Sequence, residues 1–252
     1  MARILRCLLV ALPLITVTCA QPEAPRSYAT VAHDAEPAGD AAGRAPRPRI
    51  VFLGDSLTAG LGLPRDQAVP SLIQARLDAE GYGYEVVNAG VSGDTSAGGL
   101  SRLDWVLDGA VAILVVELGA NDGLRGLPVS QMKSNLSQIV GRAKQRGITV
   151  ILTGMEAPPN YGPAYTSEFR KAFRDVADEH DVLFVPFFLD GVAGVSAMNG
   201  PDGIHPNAAG ARVVERTIWR VLEPVLNQGA SRAGAAPRTR RASASGPATQ
   251  DR

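Results

Sequence analysis

The sequence predicts an α/β protein, a three-layer α/β/α sandwich around a doubly wound, five-stranded parallel sheet. Three observations predict it. From residue 49 onward strand-like and helix-like segments alternate five times. The strongest strand segment is apolar on nearly every residue, as expected when helices cover both faces of a sheet. Glycine and polar residues gather in the turns that follow the strands.

Residues 50–53 (Ile-Val-Phe-Leu) form a short apolar run that suits a buried first strand. Residues 67–80 have helical spacing, with Val69, Leu72, Ile73 and Leu77 on one face and Gly81 as the stop. Residues 84–87 give the second strand and 97–107 the second helix. Residues 111–118 are the strongest strand. A long helix over 129–146 ends at Gly147, and a fourth strand follows at 148–152. Helix 165–180, strand 182–185 and a closing helix over 207–226 complete the pattern. There is no internal repeat, so a single folded domain is expected over residues 49–227.

The 252 residues are 45% apolar with zero formal net charge, which argues against nucleic acid as a partner. The balance is uneven: residues 50–227 carry 14 Lys/Arg against 20 Asp/Glu, whereas both ends are basic. Residues 228–252 are rich in Ala, Ser, Gly and Pro, with Arg238, Arg240 and Arg241, and are expected to be a disordered basic tail. At the other end, Arg3 and Arg6 precede an apolar stretch over 7–17 that is too short to span a bilayer. Residues 1–20 are therefore expected to be an export signal, cleaved near Thr18-Cys19-Ala20. Cys19 supports a second reading, a lipoprotein tethered to a membrane through that cysteine, with residues 21–48 as an unstructured linker. Both cysteines lie in the signal, and export without disulfides fits a periplasmic location.

Gly54-Asp55-Ser56 stands at the tip of the first strand, and Asp202-Gly203-Ile204-His205-Pro206 near the end of the folded region. Serine is a poor nucleophile at neutral pH unless a base takes its proton, and imidazole suits that task. Of three histidines, His33 lies in the leader and His180 ends a charged helix, which leaves His205 with Asp202 to orient its ring. Ligands of doubly wound sheets bind beyond the carboxyl ends of the strands. The residues gathered there include Gly93, whose backbone N–H can approach a ligand closely, and Asn121, whose amide donates without carrying charge. Ser56 N–H, Gly93 N–H and the Asn121 amide are therefore the candidate donors to an oxyanion. Asp55 is read as fixing its loop by hydrogen bonds. No ligand-spaced His and Cys cluster is present, so neither a metal nor another cofactor is expected.

These residues resemble the SGNH (GDSL) hydrolase superfamily, whose four sequence blocks carry serine, glycine, asparagine and histidine. Gly54-Asp55-Ser56-Leu57, Gly93, Gly119-Ala120-Asn121-Asp122 and Asp202-Gly203-Ile204-His205-Pro206 match the blocks in order. The longer segments 88–96, 116–126 and 159–162 look most like the periplasmic acyl-CoA thioesterase I, lysophospholipase L1 and arylesterase branch. The resemblance implies a flavodoxin-like fold and a serine-dependent hydrolase of carboxylic esters and thioesters. A small-molecule or lipid acyl substrate and a monomer are expected with it. A carbohydrate acetylesterase of the same superfamily is the alternative enzyme, and a non-catalytic exported binding protein the alternative of another class. The first loop is neither G-x-G-x-x-G nor a Walker loop, and G-x-S-x-G is absent. Segments 123–128 and 156–165 are the candidate walls of the acyl site, with Leu124, Leu127 and Tyr161 as candidate substrate contacts.

Overall fold

The computed structural model describes residues 47–232. The expected export segment with Cys19 and the linker through residue 46 lie outside the described residues, as does the expected tail beyond residue 232; residues 228–232, expected to belong to that tail, are helical.

Five parallel strands form one sheet: β1 (Arg49–Gly54), β2 (Glu85–Gly90), β3 (Val111–Glu117), β4 (Thr149–Thr153) and β5 (Leu183–Val185), in the order β2-β1-β3-β4-β5. The helices are α1 (Ser56–Ala59), α2 (Val69–Glu80), α3 (Ser96–Ser101), α4 (Leu103–Val106), α5 (Ala120–Leu124), α6 (Val129–Gln145), α7 (Gly162–His180) and α8 (Ala208–Arg232). α2 packs against α8 on one face, and α6 packs against α3 and α7 on the other. This is the three-layer, doubly wound architecture that the alternation predicts. Ile113 to Glu117 of β3 are all buried, because that strand lies in the middle of the sheet with helices on both sides.

The chain leaves β1 toward β2 and then returns across β1 to β3, so the order reverses between β1 and β3. The carboxyl ends of those strands flank the crevice where such sheets bind ligands. In register there, Gly54 faces Gly90 on one side and Glu117 on the other. Gly54 has to be glycine: a Cβ would stand 2.0 Å from Thr58 Oγ1 and 2.7 Å from Glu117 Oε2. Gly54→Ala is therefore expected to cost about 3 kcal/mol as overpacking in a rigid region. That loss would lower Tm by roughly 6–12 °C in thermal unfolding, at a few degrees per kcal/mol for a domain of this size. An unchanged Tm would contradict the tight packing.

Three local differences from the sequence reading have physical reasons. The helix expected over 97–107 is broken into α3 and α4 at Arg102, whose guanidinium turns back to Asp94 and to the carbonyls of Ala89 and Gly54. The helix expected from residue 67 begins at Val69, after a 3-10 turn at Arg65–Gln67, with a proline in its first turn. The closing helix runs to Arg232 rather than ending at 226; Tyr82 Oη donates to Asn227 Oδ1 at 2.7 Å and holds its last turns. Asn207 caps that helix, its Oδ1 accepting the N–H groups of Ala209 and Gly210.

Candidate active site

The turn after β1 becomes the single-turn helix α1, so Ser56 opens a helix rather than sitting in a loop. Asp55 caps it, Oδ1 accepting the Leu57 N–H at 3.0 Å. The Ser56 N–H is a first-turn donor with no acceptor inside the helix, and it has no partner among the described residues. Gly93, in the turn after β2, has φ +86, a backbone conformation that L side chains rarely adopt. Its N–H also lacks a partner among the described residues.

The Asp202–His205 segment approaches from the far end of the chain. Asn199 ties the preceding loop through Nδ2 to the carbonyls of Val192 and Val195, and Gly200 N–H donates to His205 O at 2.8 Å. Ser56 Oγ donates to His205 Nε2 at 2.9 Å, and His205 Nδ1 donates to Asp202 Oδ2 at 2.6 Å. This tautomer follows from the carboxylate, which can only accept. Asp202 Oδ1 also accepts the N–H groups of Ile204 and His205, each at 3.0 Å. Those backbone donors, with the His205 ring, hold the Asp202 carboxyl far below the usual carboxylate range. Asp202 is thus an anion that steers the ring, and the Ser56–His205 pair is poised to move a proton off the hydroxyl.

Asn121 lies in the first turn of α5, directly beyond β3. Its Nδ2 donates to Asp55 Oδ2 and to Asp94 O, both at 2.9 Å, so both amide hydrogens are engaged. Next to it, buried Asp122 accepts the N–H and hydroxyl of buried Ser96, which fastens α5 to α3. Arg102 joins the ends of β1 and β2 to Asp94, and Arg125 donates to Gly93 O at 2.9 Å. The turns carrying Ser56, Gly93 and Asn121 are therefore cross-linked.

Ser56, His205, Gly93 and Asn121 line one cleft of about 290 Å³. Its other walls are mainly apolar, with Leu61, Leu124, Met155, Pro158, Leu189 and Ile204, and include the polar side chains of Ser92 and Glu156. Of the three wall residues named from the sequence, Leu124 is here, and Leu127 and Tyr161 are not. The turn after α5 closes through Leu127 N–H to Asp122 O and carries Leu127 away from the cleft. Tyr161 braces that turn from outside, donating to Leu124 O at 3.2 Å and packing beside Tyr165. Met155 lies just beyond the end of β4, and Ile204 sits inside the Asp202–His205 motif. Nothing in the sequence singled out Leu61 or Leu189. Among the described residues, no group of three or more His, Cys, Asp or Glu is placed to hold a metal ion.

Esterase TesA of Pseudomonas aeruginosa is 46% identical over 178 residues, spanning 70% of this chain and 89% of that protein. Thioesterase 1/protease 1/lysophospholipase L1 of Escherichia coli K12 is 35% identical, over 71% of this chain and 85% of its own length. A crystal structure of TesA superposes with a TM-score of 0.68 at 45% identity, covering 70% of this chain and 99% of that one. The GDSL-like Lipase/Acylhydrolase family matches residues 52–213, which contain every block of the site. By sequence, fold and the order of its blocks, the chain belongs to the GDSL-like Lipase/Acylhydrolase family.

Proposed function

We propose that the protein hydrolyses acyl esters and thioesters through an acyl-serine formed on Ser56. The observation that carries this reading is the unbroken hydrogen-bonded line from Asp202 through His205 to Ser56, which with His205 lines a mainly apolar cleft. Ser56 attacks the acyl carbonyl as His205 takes its proton, and Asp202 stabilises the imidazolium. The two unpartnered N–H groups of Ser56 and Gly93, with the Asn121 amide, receive the negative charge on the carbonyl oxygen. His205 returns the proton to the departing alcohol or thiol. Water, deprotonated by the same imidazole, then releases the acid.

The mainly aliphatic walls favour a short to medium acyl chain over an acetylated sugar, whose several hydroxyls would find few polar partners there beyond Ser92 and Glu156. Each methylene that fits the cleft adds about 0.8 kcal/mol of burial, or roughly fourfold in kcat/KM, until the cleft is full. The leaving group sets the order of substrates. Thiolates and phenolates depart with little help, alkoxides once His205 donates, and amines least readily. On matched hexanoyl substrates, kcat/KM is expected to fall from thioester and activated ester to alkyl ester, with the amide barely turned over. The Escherichia coli relative carries both protease and lysophospholipase in its name, so the amide is the informative arm. An amide rate equal to the ester rate would overturn the reading.

The charged and apolar pattern of residues 1–20 supports export to the periplasm, with Cys19 as a lipidation point in the second form of that reading. Fractionation of cells expressing the full chain, with and without Cys19→Ala, tests both.

A further inference from the structure

Glu117 ends β3 with its side chain fully buried. Oε2 accepts the Thr58 hydroxyl at 2.8 Å and the Asp55 N–H at 3.3 Å, so it fastens the turn on both sides of Ser56. Oε1 meets no donor among the described residues. Asp55 beside it is 1% exposed, and its backbone N–H contact sets its carboxyl next to that of Glu117, whose charged neighbour it is. No Lys or Arg among the described residues pairs with either one. The titratable group facing Glu117 is Asp55, and His205 faces Asp55 in turn.

Two ionised carboxylates in contact in a dry site would pay both desolvation and mutual repulsion, so such a pair keeps a proton. Burial and the Asp55 charge push the Glu117 carboxyl well above its ordinary range. Burial also raises Asp55, but the Leu57 N–H and the Asn121 amide oppose that rise, as does the field of His205. The proton therefore belongs on Glu117 and the charge on Asp55. An acid hydroxyl also accounts for a buried oxygen that has no donor to accept from.

We propose that Glu117 is a positioning residue, a neutral carboxylic acid that donates to Asp55 and through it fixes the Asn121 amide and the Ser56 turn. Asp55 is the hub: Oδ1 holds the Leu57 N–H, Oδ2 holds Asn121 Nδ2, and the Glu117 proton satisfies it from behind. A single negative charge is thereby held near His205, where it favours the imidazolium as that forms. Only the kinetic part of this inference rests on Ser56 as nucleophile.

Glu117→Gln replaces the acid with its uncharged counterpart, whose carbonyl can accept from Thr58 and whose NH₂ can donate to Asp55. It is expected to keep kcat within about threefold, since both hydrogen-bond roles survive. Glu117→Ala is expected to lower kcat by about tenfold or more at little change in KM, the mark of an interaction realised in the transition state. The infrared difference spectrum of wild type minus Glu117→Gln at neutral pH should show the carbonyl band of a protonated acid. Absence of that band overturns the proposal. So does a Glu117→Gln protein that melts like wild type yet has lost tenfold or more in kcat, because a charge would then be required. Unchanged kcat in folded Glu117→Ala would also refute positioning. If Glu117→Ala does not fold, the Gln variant and the band decide. Failure of a fluorophosphonate to label Ser56 would sink the nucleophile reading and leave the infrared test standing.

Discussion

Ser56→Ala is expected to lower kcat by on the order of 10⁴–10⁶, and His205→Ala by a similar factor, because the two act as one unit. In the proposed mechanism the proton passes along the 2.9 Å bond between them, and either substitution removes that path. The double variant should therefore lose no more than the worse single one. Asp202→Ala should be milder: Asp202 is about half exposed, and His205 without it still faces Ser56 with water available to its Nδ1. None of the three should change Tm by much, since none belongs to the buried core. Steady-state assays on an activated ester, with Tm measured in parallel, check the set. Activity within tenfold of wild type in Ser56→Ala would show that the nucleophile lies elsewhere.

Asn121→Ala is expected to reduce kcat by roughly 10²–10³ with KM little changed, as for one lost oxyanion donor. In the resting structure both hydrogens of its amide are already engaged, by Asp55 and by Asp94 O. Service to an oxyanion therefore requires one of these bonds to lengthen as charge develops. Hydrogen bonds of this kind commonly tighten only in the complex with the reacting substrate. Asn121→Asp is the sharper control. It keeps the shape and removes the donor, and it places a second carboxylate beside Asp55, so it should be at least as slow as Asn121→Ala. A change confined to KM in either variant would make Asn121 a ground-state binding residue.

What could be read in the sequence follows from what each residue is chosen for. The run over 111–118 reads as a central strand because burial on both faces leaves no room for alternation. Ser56, Asn121 and His205 are legible because their chemistry has few substitutes and because strand ends advertise their positions. The walls of the cleft were harder. Any aliphatic side chain can line it, and loop geometry alone put Leu189 inside and Leu127 outside. The break at Arg102 was invisible, since apolar spacing continues through it; three polar contacts of its own side chain end the helix there. Nothing in the sequence singled out Glu117 within the run over 111–118. Only its depth beneath Asp55 shows otherwise.

The candidate catalytic groups come from four separate stretches of chain: Ser56 after β1, Gly93 after β2, Asn121 after β3, and His205 just ahead of α8. A fragment that lacks any one of these segments holds only part of the machinery. Turnover is therefore a reporter of global assembly, silent until β1, β2, β3 and the His205 loop have all docked. In a refolding experiment it would mark the last event rather than the first. Cut between β2 and β3, the chain would also make a two-piece sensor whose signal depends on reunion of its halves.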